Sequence, residues 1–280
     1  MINNTLIDDL ITIALKEDIG DGDHTSLSCV DSALTGKAEL LVKQKGILCG
    51  VELAKKIYSL FDSSLSITTF IPDGTLVVPG DVAFIVEGKT TSILQTERLV
   101  LNFMQRLSGI ATQTAEYVKL IEGTKAKILD TRKTTPGLRL LEKYAVRVGG
   151  GFNHRIGLYD MILIKDNHID FAGGVTAAIT KVKEYLRAKG KDLKIEVEAR
   201  TFEEIQEILQ FDVDRILIDN FTPEETVRAI EIINGACETE SSGGITKESI
   251  LAYAQAGVDY ISVGALTHQI KSLDLSIKAL

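Results

Sequence analysis

The chain lacks long apolar runs, is poor in cysteine and histidine, and carries no excess of basic charge. Each shortage removes a class of function. No apolar stretch reaches the roughly 18–20 residues that a membrane-spanning helix needs. Cys29, Cys49 and Cys237 lie far apart without metal-ligand spacing, a sparse odd set that fits a reducing compartment better than a disulfide framework. The four histidines show no metal-binding spacing, and His24, His168 and His268 read as structural or loop residues. The 31 basic residues are outnumbered by 39 acidic ones, a net charge of −8 that argues against nonspecific binding to nucleic acid or an anionic membrane. The opening MINNTLIDDLITIALKEDIG is acidic and helix-like, without the basic start and cleavage site of a secretion signal. A cytoplasmic protein is expected, and the glycosylation-type triplets Asn3-Asn4-Thr5 and Asn220-Phe221-Thr222 are then accidental. GKTT at 88–91 ends like a phosphate loop, but Ala83 stands where that motif requires glycine.

Against this acidic background one segment stands out. DTRKTTPGLRLLEKYAVRVGGGFNHR, residues 130–155, holds Arg132, Lys133, Arg139, Lys143, Arg147 and Arg155, and between Arg132 and Arg155 the only acid is Glu142. Arginine offers a planar fork for carboxylate or phosphate and lysine a compact point charge, so the cluster suits a small ligand with several negative charges. Arg139, Lys143 and Arg147 fall at helical spacing and read equally well as a solvated helix face. Arg132, Lys133 and Arg155, beside glycines and a proline, do not.

The pattern of the chain changes near residue 115. Before it, β-like runs at 37–50, 65–71 and 81–88 are punctuated by Asp73-Gly74 and Pro79-Gly80 turns. Helical patterns cover 4–17, 51–61 and 91–123, which together predict an α+β unit with a mainly antiparallel sheet. Beyond 120, short apolar runs (AKILD, MILIKD, LKIEVE, RILID, CETESS and YISVG) alternate with helical stretches at 175–190, 202–210, 223–234 and 247–257. Strand–helix repetition of this kind builds a parallel sheet. Asp130, Arg132, Lys133, Lys165, Glu198, Asp219, Ser242 and Gly264 all fall at or just past the ends of these runs. Such ends converge on one rim in a (β/α) barrel but not in an open sheet, so a barrel is favoured.

At that rim Glu198 and Asp219 form a carboxylate pair suited to Mg²⁺, with Glu196 in the same alternation phase as Glu198. Gly243 and Gly244 in ESSGGIT join a strand to a helix, and SVGAL repeats the arrangement one strand later; backbone amides and helix N-termini at such turns bind phosphate. Lys165 would also suit a Schiff-base lyase.

In order and spacing, DTRKTTPGLRLLEKYAV, GGGFNHRIGLYDMILIKDNHI, IEVEA, ILIDNF, ESSGGIT and DYISVGALTH resemble the signature blocks of the quinolinate phosphoribosyltransferases. EDIGDGDHTS and TERLVLNFMQRLSGIAT extend the resemblance over nearly the whole chain. It implies an α/β fold with an N-terminal α+β open sandwich (1–115), an incomplete (β/α) barrel with the active site at its C-terminal strand ends (116–268), and a tail (269–280) packed on the first domain. It also implies a pentosyltransferase of NAD biosynthesis that uses Mg²⁺, converting quinolinate and phosphoribosyl pyrophosphate to nicotinate mononucleotide, pyrophosphate and CO₂. By block match, Arg132, His154 and Arg155 belong to the quinolinate pocket, and Lys133 and Lys165 lie between the two substrates. Glu198 and Asp219 serve the ribose hydroxyls and the metal, directly or through substrate and water. Ser242, Gly243, Gly244, Ser262, Val263 and Gly264 hold phosphate. A homodimer, alone or within a hexamer, is implied, in which Arg98 enters the neighbouring site. A related molybdenum-transport-associated group shares the fold, but the intact DTRKTTPGLR and NHR blocks favour the quinolinate enzymes.

Overall fold

The computed structural model describes residues 4–280, so Asn3 of the first glycosylation-type triplet lies outside the described residues. In chain order the elements begin with α1 (Thr5–Ile19), α2 (His24–Cys29), β1 (Thr35–Val42), β2 (Gly46–Ile47), α3 (Val51–Phe61), β3 (Ser66–Thr69), β4 (Leu76–Val77), β5 (Val82–Lys89) and α4 (Thr90–Leu120). There follow β6 (Lys127–Leu129), α5 (Arg139–Val148), β7 (Ile162–Ile164), α6 (Asp166–Ala172), α7 (Val175–Lys189), β8 (Ile195–Ala199), α8 (Phe202–Ile208) and β9 (Arg215–Asp219). The last are α9 (Pro223–Ile233), β10 (Glu238–Ser242), α10 (Ile250–Gln255), β11 (Tyr260–Ser262), α11 (Ala265–His268) and β12 (Leu275–Ala279). Two compact units result: one gathers the residues up to Ala115 with 134–150 and 265–280, the other holds 116–133 and 151–264.

The first unit is built on an antiparallel sheet of order β12-β1-β5-β3, in which the C-terminal residues supply the edge strand β12. Alternation on β1 buries Ala38, Leu40 and Val42 on one face. Helix α3 buries Val51, Leu53, Ala54, Ile57 and Tyr58, and Tyr58 meets Phe84 of β5 edge-on at 6.3 Å. The Asp73 carboxylate accepts the N–H groups of Gly50 and Val51 at 2.9 and 2.8 Å, closing the start of that helix.

Segment 134–150 falls within the stretch read as one barrel domain, yet its contacts join it to the first unit. The anchor is Glu142, fully buried, which accepts Arg106 Nε and Nη2 at 2.9 and 2.6 Å and the Thr135 N–H at 3.1 Å. Tyr144 adds a 2.8 Å donation to Asp73. The solvated-face reading of α5 fails at Lys143, which is 0% exposed, while Arg147 is exposed. Burial runs through 141–143 and 145–146, so the helix is enclosed on more than one stripe.

The second unit is a parallel sheet of order β6-β11-β10-β9-β8-β7. Among the described residues β6 and β7 do not pair, so the barrel is incomplete; Phe152 adds one parallel bridge to Leu129 beside β6. Helix starts follow local chemistry. Thr201 caps α8 by accepting the Glu204 N–H, and Thr222 with Glu225 forms a capping box around Pro223 at the start of α9. Ile179, Ile205, Ile208, Ala229 and Ile233 from the helices pack with Val197, Ile216 and Ile218 from the strands in one apolar cluster.

Candidate active site

Strand β8 reads Ile-Glu-Val-Glu-Ala, and its apolar members join the helix-facing cluster. The period of two then turns Glu196 and Glu198 to the opposite face, the barrel interior. Glu198 sits at the strand end with 7% exposure; Glu196, one layer deeper, has none. Asp219 closes β9 and is in register with Ser242, the last residue of β10. Ser262 closes β11, and Val263 donates its N–H to Leu129 O at 3.0 Å, extending the ladder toward β6. Lys165 follows β7 and begins α6, its N–H received by His168 Nδ1 at 2.9 Å, so His168 is a helix cap. Past β6, Asp130 is fully buried and accepts Asn153 Nδ2 at 2.5 Å and the His154 N–H at 2.9 Å. That clamp, with the Phe152 bridge, holds the Asn153-His154-Arg155 segment against the end of β6.

Two electrostatic groupings share this rim. Glu198 and Asp219 are both raised above the ordinary carboxylate range. Burial is the main cause in each, and for Glu198 the nearby Asp219 adds to it while Lys165 opposes it. For Asp219 the opposing charges are Lys165 and Lys133. The acid pair and both rim lysines are therefore within electrostatic reach of one another. The second grouping is arginine: Arg155 is lowered by burial and then by Arg132, so the two guanidinium groups are within electrostatic reach of each other. Arg155 Nη1 donates to Met161 O at 3.1 Å, which fixes the approach of its fork.

Beneath the rim lies a buried ionic network. His154 Nε2 is 2.9 Å from Glu196 and 3.6 Å from Glu240, and its Nδ1 accepts the Arg155 N–H at 2.7 Å. Arg215 reaches Glu240 at 2.8 Å and Glu238 at 3.1 Å and stacks 4.0 Å over the Tyr260 ring. Burial and the neighbouring Glu196 push Glu240 up to about 8, against the pull of His154 and Arg215. Donor atoms of His154, Glu196 and Glu240 lie within 4.8 Å of one another, but Arg215 already supplies a cation there. The pairing is electrostatic rather than fully hydrogen-bonded: among the described residues, Glu196 Oε1 and Oε2, Glu240 Oε1 and Arg215 Nε are buried without a hydrogen-bond partner.

Most residues expected at the site from sequence lie on this rim. Arg132, Lys133 and Lys165 are exposed, Asp219 is half-buried, and Gly243 and Gly244 form the turn after β10 with φ of 101° and 59°. His154 is directed inward, its side chain 7% exposed. Arg98 belongs instead to the first unit, exposed on α4. The helix expected to begin at 247 starts only at Ile250, so the amides near the glycine pair belong to the turn itself, not to a helix N-terminus. Sequence reasoning left out Asp130 as a clamp and Glu240 and Arg215 as the buried base of the site. The available signal was phase: Glu240 alternates with Ser242, and Arg215 with Asp219, so each faces the interior with its rim partner.

Comparison with known proteins gives the lineage. The family described as quinolinate phosphoribosyl transferase, C-terminal domain, matches residues 110–278, and the corresponding N-terminal domain matches 23–108. The chain is 44% identical to a probable nicotinate-nucleotide pyrophosphorylase [carboxylating] of Bacillus subtilis, over 99% of its own length and 94% of the relative's. It is likewise 44% identical to quinolinate phosphoribosyltransferase [decarboxylating] 1b of Nicotiana tabacum, over 96% of this chain and 81% of that one. The solved nicotinate-nucleotide pyrophosphorylase of Francisella tularensis superposes with a TM-score of 0.94 at 41% identity, covering 100% of this chain and 98% of the other. The chain belongs to the quinolinate phosphoribosyltransferase family.

Proposed function

We propose that the barrel rim carries out the family reaction, transfer of the phosphoribosyl group of phosphoribosyl pyrophosphate to quinolinate with loss of CO₂. The products are nicotinate mononucleotide, pyrophosphate and CO₂, and the step belongs to NAD biosynthesis. The observation that carries this reading is the placement, on one set of strand ends, of the electrostatically coupled Arg132 and Arg155 with the Glu198–Asp219 acids that Lys165 and Lys133 offset. A dianionic acceptor and a polyanionic donor both need concentrated positive charge, whereas a ribose that develops positive charge as pyrophosphate departs needs nearby carboxylates.

In this assignment Arg132 and Arg155 grip the quinolinate carboxylates, and His154 supports them from below on Glu196. Lys133 and Lys165 stand between the two substrates. Glu198 and Asp219 face the ribose hydroxyls, while Ser242, Gly243, Gly244, Ser262 and Gly264 receive phosphate; Val263, expected among them, has its N–H committed to Leu129 O and only shapes the turn. The ring nitrogen attacks the anomeric carbon through an oxocarbenium-like state by analogy with glycoside chemistry. Once quaternised, that nitrogen withdraws the electron pair of the breaking C–carboxylate bond, CO₂ leaves, and the ring carbon takes up a proton. No enzyme nucleophile is needed. Glu198 and Asp219 also fit a divalent cation, since both are hard oxygen donors raised by burial, and Glu198 is further raised by Asp219. Mg²⁺ bound there supplies charge neutralisation for the leaving pyrophosphate.

The working assembly in this reading is a homodimer, alone or within a hexamer, and the exposure of Arg98 on α4 supports its use by a second copy. A cytoplasmic setting is supported by three cysteines that form no disulfide, and no helix among the described residues is long and apolar enough to cross a membrane. The deciding experiment mixes purified protein, quinolinate, phosphoribosyl pyrophosphate and Mg²⁺, and follows nicotinate mononucleotide and CO₂ together. Equal yields of both, abolished by EDTA, are expected. A folded protein that releases neither product would overturn the assignment.

A further inference from the structure

We infer that Asn220, which has no part in the assignment above, is a positioning residue that orients Asp219 and couples it to the glycine turn of the neighbouring strand. The inference rests on the functional reading just given. Asn220 follows β9 with φ of 59°, a left-handed conformation that asparagine, aspartate and glycine enter far more readily than other residues. Its backbone N–H donates to Ser242 O at 2.9 Å, which carries the β9–β10 ladder one residue past the Asp219–Ser242 pair. Its side-chain Nδ2 donates to Asp219 Oδ2 at 2.5 Å. The nitrogen must be the atom on that side, because an amide oxygen facing a carboxylate would repel it.

The rest of the Asn220 side chain fills the space that a Cβ on Gly243 would need. Such an atom would lie 2.7 Å from Asn220 Cγ and 2.8 Å from its backbone N. Gly243, at φ of 101°, is thus required twice, by its own backbone and by Asn220. With Oδ2 held, one oxygen of the Asp219 carboxylate is fixed. A single side chain therefore ties the acid that faces the ribose to the turn that receives phosphate. Both ends of this tie serve the phosphoribosyl donor, and neither touches the arginines assigned to quinolinate.

The test compares N220D and N220G with the parent, by steady-state kinetics in each substrate and by calorimetric titration of quinolinate alone. A purely conformational role predicts that both variants work normally, since aspartate and glycine accept the left-handed turn. The positioning role predicts that kcat/KM for phosphoribosyl pyrophosphate falls by about tenfold or more in both variants, while quinolinate affinity stays within about twofold. N220D should be the worse of the two, because its carboxylate faces that of Asp219. N220G removes only the side chain and relaxes the backbone, so it supplies a folded readout even if N220D is unstable. Variants within about twofold of the parent for phosphoribosyl pyrophosphate, or an equal loss of quinolinate binding, would overturn the inference. A parent without turnover would instead remove the functional reading, and the inference with it.

Discussion

In the sheet of the first unit the fully buried positions are Leu40, Val42, Ala83, Phe84 and Val86; in the barrel sheet Glu196 and Glu240 are just as inaccessible. Both sheets obey the same alternation, but the second spends its interior positions on charge. An apolar interior stabilises wherever it packs, at about 25 cal/mol per Å² of buried area. A charged interior holds only while every partner is present, because an uncompensated buried ion is far more costly than an exposed one. The first sheet should therefore respond to mutation through stability alone, and the barrel through stability and catalysis together.

The largest effect is expected at the rim. Arg132→Ala should reduce turnover of quinolinate by about a thousandfold or more with little loss of stability, since the residue is exposed. Arg98→Ala should be similarly inactive, and mixing the two inactive proteins under conditions where dimers exchange should restore activity. Failure to complement would remove the shared site and leave Arg98 unexplained.

Next comes the charged interior. Arg215→Ala removes the guanidinium that lies 2.8 Å from Glu240 and leaves that buried acid without its donor, and urea unfolding should record a loss of about 1–3 kcal/mol, accompanied by weaker quinolinate binding as His154 shifts. Phe84→Ala opens a cavity beside Tyr58 in the first sheet and should lose about 3 kcal/mol, with kcat/KM unchanged for protein that remains folded. If Phe84→Ala damaged catalysis as Arg215→Ala does, the contrast between the two interiors would fail.

The smallest effect is a slope. Glu240 sits at about 8 when folded, raised from 4.5, so the folded state holds a proton that the unfolded chain has released. Its contribution to stability is then complete below about 4.5 and declines as pH climbs through about 8. Glu240→Gln mimics the protonated acid and should flatten stability against pH over that window, as read from urea midpoints at several pH values. An unchanged slope would mean that Glu240 is ionised in the folded protein.

Much of the architecture was legible because local signals agreed. RILID is β9 and VELAKKIYSLF is α3 without adjustment, the first an apolar run of β-branched residues with a polar end, the second an amphipathic stretch after Gly50. The short helices α2 and α6 were not read, since six or seven residues hold too few periods to stand out. β12 offers only LSIKA, and two- and three-residue strands such as β2 depend on their partners for identity. Lys143 was legible as helical but not as buried, because which stripes of a helix are enclosed depends on what packs around it.

By itself the sequence determined the strand–helix rhythm, the concentration of cations between Arg132 and Arg155, and the placing of Glu198 and Asp219 at strand ends, all set by residues close together along the chain. Only the tertiary structure decided that Arg132 lies within electrostatic reach of Arg155, that His154 rests on Glu196 and Glu240 above Arg215, and that the Asn220 side chain meets both Asp219 and Gly243. The physical reason is range. Hydrophobic alternation and capping act over a few residues, whereas electrostatic contacts inside a barrel join groups from separate strands whose register no local pattern records.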